Sequence, residues 1–360
     1  MEKITLSPTK GAYNAIKADV GANASVKELV DNAADNGSRR GRDIVTVTIY
    51  VETDDEGELV LVVRDDSGGL TFDELSMIFA LGESEKDDIE GSIGAFGIGA
   101  PKALMSLGEE FTVRTRHSDA DTGYAYTVDQ KWLDDEDDWT VPVEEVDMDA
   151  GATEIRISDL NFTWTDVRTD LKADLRNTYA PYLRGHAPVT LQIRFPTEDR
   201  NDLESLSAPP RPAYSYTPWD ALYPRRYEGI VLDPDDVDEH VAMSVEVGLL
   251  ATGDPDEAGV DWVCQHRVVE RANRDTTSGF GVGGVLPKFR ESTHKRLKTR
   301  VELYTPGDAS ALPWNSDKSR IRERDPVTDA ARDILGKVLG RYMRAGYGSV
   351  EPAFFEPYTG

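Results

Sequence analysis

Two runs near the start of this chain leave little freedom for its first domain. Residues 44–52 (IVTVTIYVE) alternate at period two with β-branched side chains, and residues 58–64 (ELVLVVR) form a second such run. Asp54-Asp55-Glu56-Gly57 lies between them and reads as a hairpin turn. A sheet that begins this way must bury one face, and the helical periodicity on either side supplies the cover. Residues 24–38 read as a helix closed by Asn36-Gly37, with Leu29, Val30, Ala33 and Ala34 on its apolar side. Thr71 begins a short helix from Phe72 to Leu81, and Glu74 completes a capping box. Residues 82–99 are rich in Gly, Ser and charge without apolar periodicity, and a helix resumes over 100–107. Strands follow at 111–116, 123–129 and 153–158, with an acidic loop at 133–150.

A boundary falls near residue 165, dividing the chain into 1–165, 166–345 and a tail at 346–360. The second part reads as a helix at 165–184, a strand at 189–194 and a Pro-rich connection through 196–237. Strands at 241–250, 260–271 and 299–304 come next, then an amphipathic helix at 327–345 through Ala330, Ile334, Val338 and Tyr342. Helices followed by antiparallel strands predict an α+β architecture in both halves. There is no internal repeat.

Composition narrows the class. The chain has 360 residues, 39% of them hydrophobic and 30% charged, which describes a globular protein with a sizeable core. No stretch approaches the roughly 20 apolar residues of a membrane helix. The opening MEKITLSPTK lacks the apolar core of a secretory signal, and Cys264 is the only cysteine, so the expected compartment is the cytoplasm. The formal net charge is -27 and is dispersed along the chain, the pattern of a salt-rich (halophilic) cytoplasm. Residues 285–324 differ, with ten Lys/Arg against five Asp/Glu, and a phosphate-bearing ligand is expected there before anywhere else.

Three polar features stand out. Glu28 and Asn32 are four residues apart on the first helix, and Asp35, seven beyond Glu28, falls on the same stripe. A carboxylate one turn before an amide suits a general base beside a metal ligand, although alone the stripe is more simply a solvated face. Asp65-Asp66-Ser67-Gly68-Gly69-Leu70 follows the strand LVLVVR, where a carboxylate before two glycines lets backbone approach a flat ligand. Alone it reads as a strand-ending turn. Gly94-Ala95-Phe96-Gly97-Ile98-Gly99-Ala100-Pro101-Lys102 places glycines before a helix N-terminus, a phosphate-friendly arrangement. Its spacing is neither that of a Walker loop nor that of a dinucleotide fingerprint in a β-α-β frame.

Taken together and in order, these motifs resemble those of the GHKL ATPases: gyrase B subunits, ninety-kilodalton heat-shock chaperones, MutL, histidine kinases and the MORC proteins. That family carries E-x-x-x-N on a helix, D-x-G-x-G after a strand, and a G-x-x-G-x-G lid ending at a helix. A fourth element, Gly151-Ala152-Thr153, resembles the family's Gly-Thr, with one extra residue. The resemblance implies a Bergerat-type two-layer α/β sandwich binding ATP and Mg2+. Glu28 would then orient the attacking water, Asn32 would hold Mg2+, and Asp35 would join the nucleotide site. Asp65 would accept from the adenine amino group, with Gly69 in the same turn and Thr153 in the adenine network. Gly94, Gly97 and Gly99 would wrap the phosphates, with Lys102 as a further phosphate partner. The chain departs from the family at Ser67, which stands where the family has its first glycine, so Gly68 must absorb the tight turn.

The second half resembles the smaller α+β, ribosomal-protein-like transducer domain of gyrase-type and MutL-type members. Residues 262–269 (WVCQHRVV) are similar to a strand that carries Asn-Gly-Arg in those families, with His266-Arg267 in place of Gly-Arg. The segment Trp314-Asn315-Ser316-Asp317-Lys318-Ser319-Arg320 offers Lys318 as the loop lysine that reaches the γ-phosphate; the alternative is a surface lysine in a charged loop. The resemblance further implies an ATP-dependent homodimer acting as a clamp. Among members, a MORC-like or topoisomerase-VI-B-like ATPase fits best, working with a separate protein partner and on DNA, with no membrane involvement. The rival reading is a nucleotide-gated scaffold with negligible turnover.

Overall fold

The computed structural model describes residues 10–11, 13, 21–79, 92–94, 99–196, 203–215, 223–232, 234, 240–280 and 295–345. They fall into two compact units. The first runs to Ser207, apart from residues 92–94 and 177–181, which cluster with the second.

The first unit combines one mixed sheet with helices. Its helices are α1 (Ala22–Arg39), α2 (Gly99–Leu107), the short α3 (Gln130–Asp134) and α4 (Trp164–Thr178). Its strands are β1 (Ile44–Thr53), β2 (Leu59–Asp65), β3 (Gly108–Thr115), β4 (Gly123–Val128), β5 (Glu144–Val146), β6 (Thr153–Leu160), β7 (Thr190–Pro196) and β8 (Leu203–Ser205). Across the sheet the order is β5-β4-β3-β6-β2-β1-β7-β8. Every neighbouring pair is antiparallel except β1 and β7, which run parallel with Ile44 opposite Thr190. Central β2 buries Val60, Leu61, Val62 and Val63 in succession. α1 lies on β1 and β2, and α2 lies beside α1 over β3 and β6. Val26, Leu29, Val30, Ala33 and Ala34 form the buried stripe of α1. The sheet and its helix layer make the α+β arrangement expected from the sequence.

The boundary expected at residue 165 falls inside this unit. β7 adds to the sheet beside β1 and β8 beside β7, so the unit closes only after residue 205. The hydrogen-bonding edge of β1 demands a partner, and the only parallel pairing in the sheet brings one from far along the chain.

Lys10 anchors the start of the described chain. It is 0% exposed, and its ammonium donates to the carbonyls of Trp132 and Asp138 at 2.5 Å each. The same nitrogen sits 3.5 Å from the Trp132 ring centroid and 5.5 Å from that of Trp139. Tyr13 stacks on Phe79 at 4.6 Å and donates its hydroxyl to the Phe79 carbonyl. The supporting turn, α3, is capped by Asp129, whose carboxylate accepts from the Trp132 amide. Here a helix and a short strand (β5) interrupt what the sequence reads as an acidic loop.

The described residues of the second unit form five strands and a terminal helix. They are β9 (Arg225–Leu232), β10 (Val241–Leu249), β11 (Gly259–Cys264), β12 (Arg267–Asn273), β13 (Leu297–Tyr304) and α5 (Pro326–Ala345). The order is β12-β11-β13-β10-β9, with β11 and β13 parallel. α5 packs on β10 and β9. The run 260–271, expected as one strand, is a hairpin instead. Gln265 and His266 take φ of 47° and 61°, and the chain reverses between Cys264 and Arg267. The buried Gln265 amide donates to the Thr305 carbonyl and accepts from the Thr305 amide, which pins a turn lacking the usual Asn-Gly. β9 likewise lies within the stretch read as a Pro-rich connection.

Candidate active site

The face of α1 opposite its apolar stripe carries Glu28, Asn32 and Asp35, all half-buried. Further along the helix, the Asn36 carboxamide donates to Ser67 Oγ at 2.8 Å. That bond fastens α1 to the turn after β2. The turn is built around Asp65, whose Oδ1 accepts from the Ser67 amide at 3.0 Å. Asp66 points the other way, and its Oδ1 accepts from the Thr46 amide at 2.7 Å on β1. Thus the first acid of the pair is left to the site and the second locks the sheet.

Gly68 and Gly69 absorb the bend with φ of 121° and 66°, so Ser67 is accommodated in the place of the family's glycine. A Cβ at Gly69 would come 2.0 Å from the Arg116 carbonyl oxygen, which leaves no other residue possible there. Gly68 also hydrogen-bonds to the Gly151 carbonyl and to the Ser118 amide. The Asp65 turn and the Gly151-Ala152-Thr153 segment are therefore one knitted unit.

Strand register then sets a row of polar side chains. Asp65 on β2 is opposite Thr153 on β6, and Thr153 is opposite Thr115 on β3. The Thr115 and Thr153 hydroxyls are 3.0 Å apart. Burial pushes the Asp65 carboxyl up to about 6, although hydrogen bonds from Ser67 pull the other way. A carboxylate in such a place is poised to accept a hydrogen bond from a ligand and is costly to leave ionised without one.

α2 closes the arrangement from the other side. Its first residue, Gly99, abuts the Glu28 carboxylate so closely that a Cβ would fall 1.8 Å from Oε1. Pro101 in the first turn suits a helix start, whose amides point outward for an anion. Lys102 is half-buried on the same first turn. Gly94 is exposed and clusters with the second unit, and Gly97 lies outside the described residues.

Lys318 belongs to the second unit and is not the surface lysine that its charged loop suggests. It is 2% exposed, its φ is 53°, and its carbonyl accepts from Arg267 Nη1 at 2.7 Å. Three of the ten cations of residues 285–324 have ion-pair partners, while Lys288 and Arg290 lie outside the described residues. Lys298 is buried against Asp261, Arg300 pairs with Glu302, and Arg322 pairs with Asp325.

Sequence reasoning missed Thr115, Asn36 and Ser118. Thr115 is read in a strand as one more β-former, and its role depends on partners in β6 and the Asp65 turn. Asn36 is taken as a helix-closing residue, yet it lies next to Asp35 and one turn beyond Asn32, a spacing that was legible. Among the described residues no group of three or more His, Cys, Asp and Glu side chains is placed to hold a metal. A Mg2+ ion held through Asn32 and nucleotide phosphates would suit this donor set, since Mg2+ usually takes few protein ligands.

Residues 20–159 match the family model for histidine kinase-, DNA gyrase B- and HSP90-like ATPases. That segment spans α1, the Asp65 turn, α2 and Thr153. It is a GHKL-type ATPase domain. Among curated proteins, the DNA mismatch repair protein MutL of Pseudomonas syringae pathovar tomato is 29% identical over 161 residues, covering 41% of this chain and 21% of the relative. MutL of Pseudomonas entomophila is 32% identical over 152 residues, covering 41% and 22%. MutL of Xanthomonas axonopodis pathovar citri is 33% identical over 110 residues, covering 29% and 16%. The similarity spans about a fifth of these relatives' length. No helix of the described residues is long and apolar enough to cross a membrane.

Proposed function

We propose that this protein binds ATP with Mg2+ and hydrolyses it, and that nucleotide drives dimerisation and clamp closure. The observation that carries the reading is the convergence of Glu28, held against Gly99, with the Asp65–Thr153 row on adjoining strands. Asp65 accepts from the adenine amino group, and Thr153 completes that end of the pocket. Asn32 holds the ion, with Asp35 further along the same helix face. Mg2+ supplies charge neutralisation for the phosphates when bound. Gly94, Gly97, Gly99 and Lys102 face the phosphates, and Glu28 orients the attacking water. The chemistry is positioning together with electrostatic stabilisation.

In the same reading the second unit is a transducer-like domain, and Lys318 distinguishes triphosphate from diphosphate. The Gln265–His266 turn before Arg267 supports it, because two left-handed residues there occupy the place of Asn-Gly in the family's Asn-Gly-Arg. The relatives are named for DNA mismatch repair, which favours a DNA-associated, multi-component system; a MORC-like or topoisomerase-VI-B-like kind of ATPase is our further reading of the motifs. The dispersed acidity fits a salt-rich cytoplasm.

The test is phosphate release in high salt, with and without duplex DNA, alongside light scattering with a non-hydrolysable ATP analogue. Wild type is expected to turn over and to dimerise with the analogue. Glu28→Ala should bind ATP yet lose turnover, and Lys318→Ala should lower turnover. Wild type that binds ATP without measurable turnover would instead establish the nucleotide-gated scaffold. An unchanged rate in Lys318→Ala would remove that residue from the site.

A further inference from the structure

Thr115 is 0% exposed, and its hydroxyl has three neighbours. The Leu70 amide donates to it at 2.9 Å, the Ala152 carbonyl lies at 3.2 Å and Thr153 Oγ1 at 3.0 Å. A hydroxyl has one hydrogen and two lone pairs. The Leu70 N–H can only donate, so it takes one lone pair. If Thr115 gives its hydrogen to the Ala152 carbonyl, its second lone pair is left to accept the hydrogen of Thr153. All three bonding positions are then filled. The reverse wiring, Thr115 to Thr153, leaves a lone pair empty at a site closed to water, and burial disfavours that.

The filled wiring has a consequence one strand away. Thr153, with its hydrogen committed to Thr115, shows only lone pairs to the pocket. Its cross-strand neighbour is Asp65, a second acceptor. We propose that Thr115 is a specificity-determining positioning residue: by consuming the Thr153 hydrogen it makes this wall of the pocket acceptor-only, so that a purine carrying a 6-amino group is bound and one carrying a 6-carbonyl is rejected. This inference rests on the placement of adenine at Asp65 given above. Asp65 alone does not supply the discrimination, because a carboxylate also pairs with the N1–H of a 6-oxo purine. Thr153, if free to rotate, donates to a carbonyl as readily as it accepts from an amine.

The experiment is the ratio of ATP to inosine triphosphate affinity, measured by calorimetry for wild type, Thr115→Val, Thr115→Ser and Asp65→Asn. Wild type should prefer ATP. Thr115→Val should cut that preference by about tenfold, the worth of roughly one hydrogen bond, by releasing Thr153 to donate to the 6-carbonyl. Thr115→Ser keeps the hydroxyl and should keep the preference. A folded Thr115→Val protein with the wild-type ratio overturns the inference. If that variant does not fold, Thr115→Cys fills nearly the same space with a weak donor and acceptor, and an unchanged ratio there overturns it equally. Failure of the adenine reading has a separate signature, in which Asp65→Asn binds ATP as tightly as wild type.

Discussion

Gly99 is a residue defined by what occupies its missing side chain. The Glu28 carboxylate stands where a Cβ would go, and the clash at 1.8 Å involves the far end of a flexible side chain rather than backbone. Gly99→Ala should therefore fold normally and push that carboxylate aside. A displacement of about 1 Å can cost on the order of 100-fold in rate, so turnover should fall by about that factor, well beyond any change in ATP affinity. Comparing nucleotide titration with phosphate release checks this, and equal rates would separate Glu28 from the chemistry. Asp65 makes a second prediction. Its folded value, about 6, lies above the ordinary 3.8 because burial disfavours the charge. A carboxyl raised in this direction adds stability that is complete below the ordinary value and disappears as pH rises through about 6. Ligand binding runs the opposite way, because the acceptor must be ionised. ATP affinity should rise between pH 5 and 7 with a midpoint near the Asp65 value, and Asp65→Asn should flatten the curve, as titrations across that pH range would show.

At the scale of elements, legibility followed the range of the forces involved. α1 was readable because its buried stripe repeats every turn, and β1 and β2 because alternation and an acidic turn are local signals. The Thr71 box was equally local, with the Glu74 carboxylate accepting from the Thr71 amide at 2.8 Å. The hairpin between β11 and β12 escaped because Gln265 and His266 are held left-handed by partners near Thr305 and Glu302, not by their own preference. β9 escaped because half of its residues are exposed and it carries Arg225, Arg226 and Glu228 in place of a clean apolar alternation. In the candidate site, Glu28, Asn32 and Asp65 are proposed from their spacing, whereas the contacts of Thr115 follow only from strand register. The Lys10 anchor was invisible for the same reason, since its acceptors are Trp132 and Asp138. Lys10→Met keeps the bulk and removes the charge. It should cost about 2 kcal/mol and raise amide exchange at Tyr13 and across α3, as hydrogen exchange would report. Unchanged protection would mean the aromatic contacts alone hold the segment.

For the molecule as a whole, the first unit ends well past the ATPase-like motifs. A fragment ending at residue 165 retains Glu28, Asn32, Asp65 and Thr153 but strips β7 from β1. It should aggregate through the bared β1 edge, where Ile44 is already 49% exposed, whereas a fragment ending at 207 should stay monomeric. Size-exclusion chromatography of the two decides the matter, and a well-behaved short fragment would show that β7 is dispensable. The same pairing governs the newborn chain. On the ribosome, β1 finds β2 almost at once, but its other edge must wait until β7 has cleared the exit tunnel, while β3 to β6 are still joining the sheet. The interval between those two events is when this protein most needs a chaperone, and synonymous codons that slow synthesis between β6 and β7 would lengthen it.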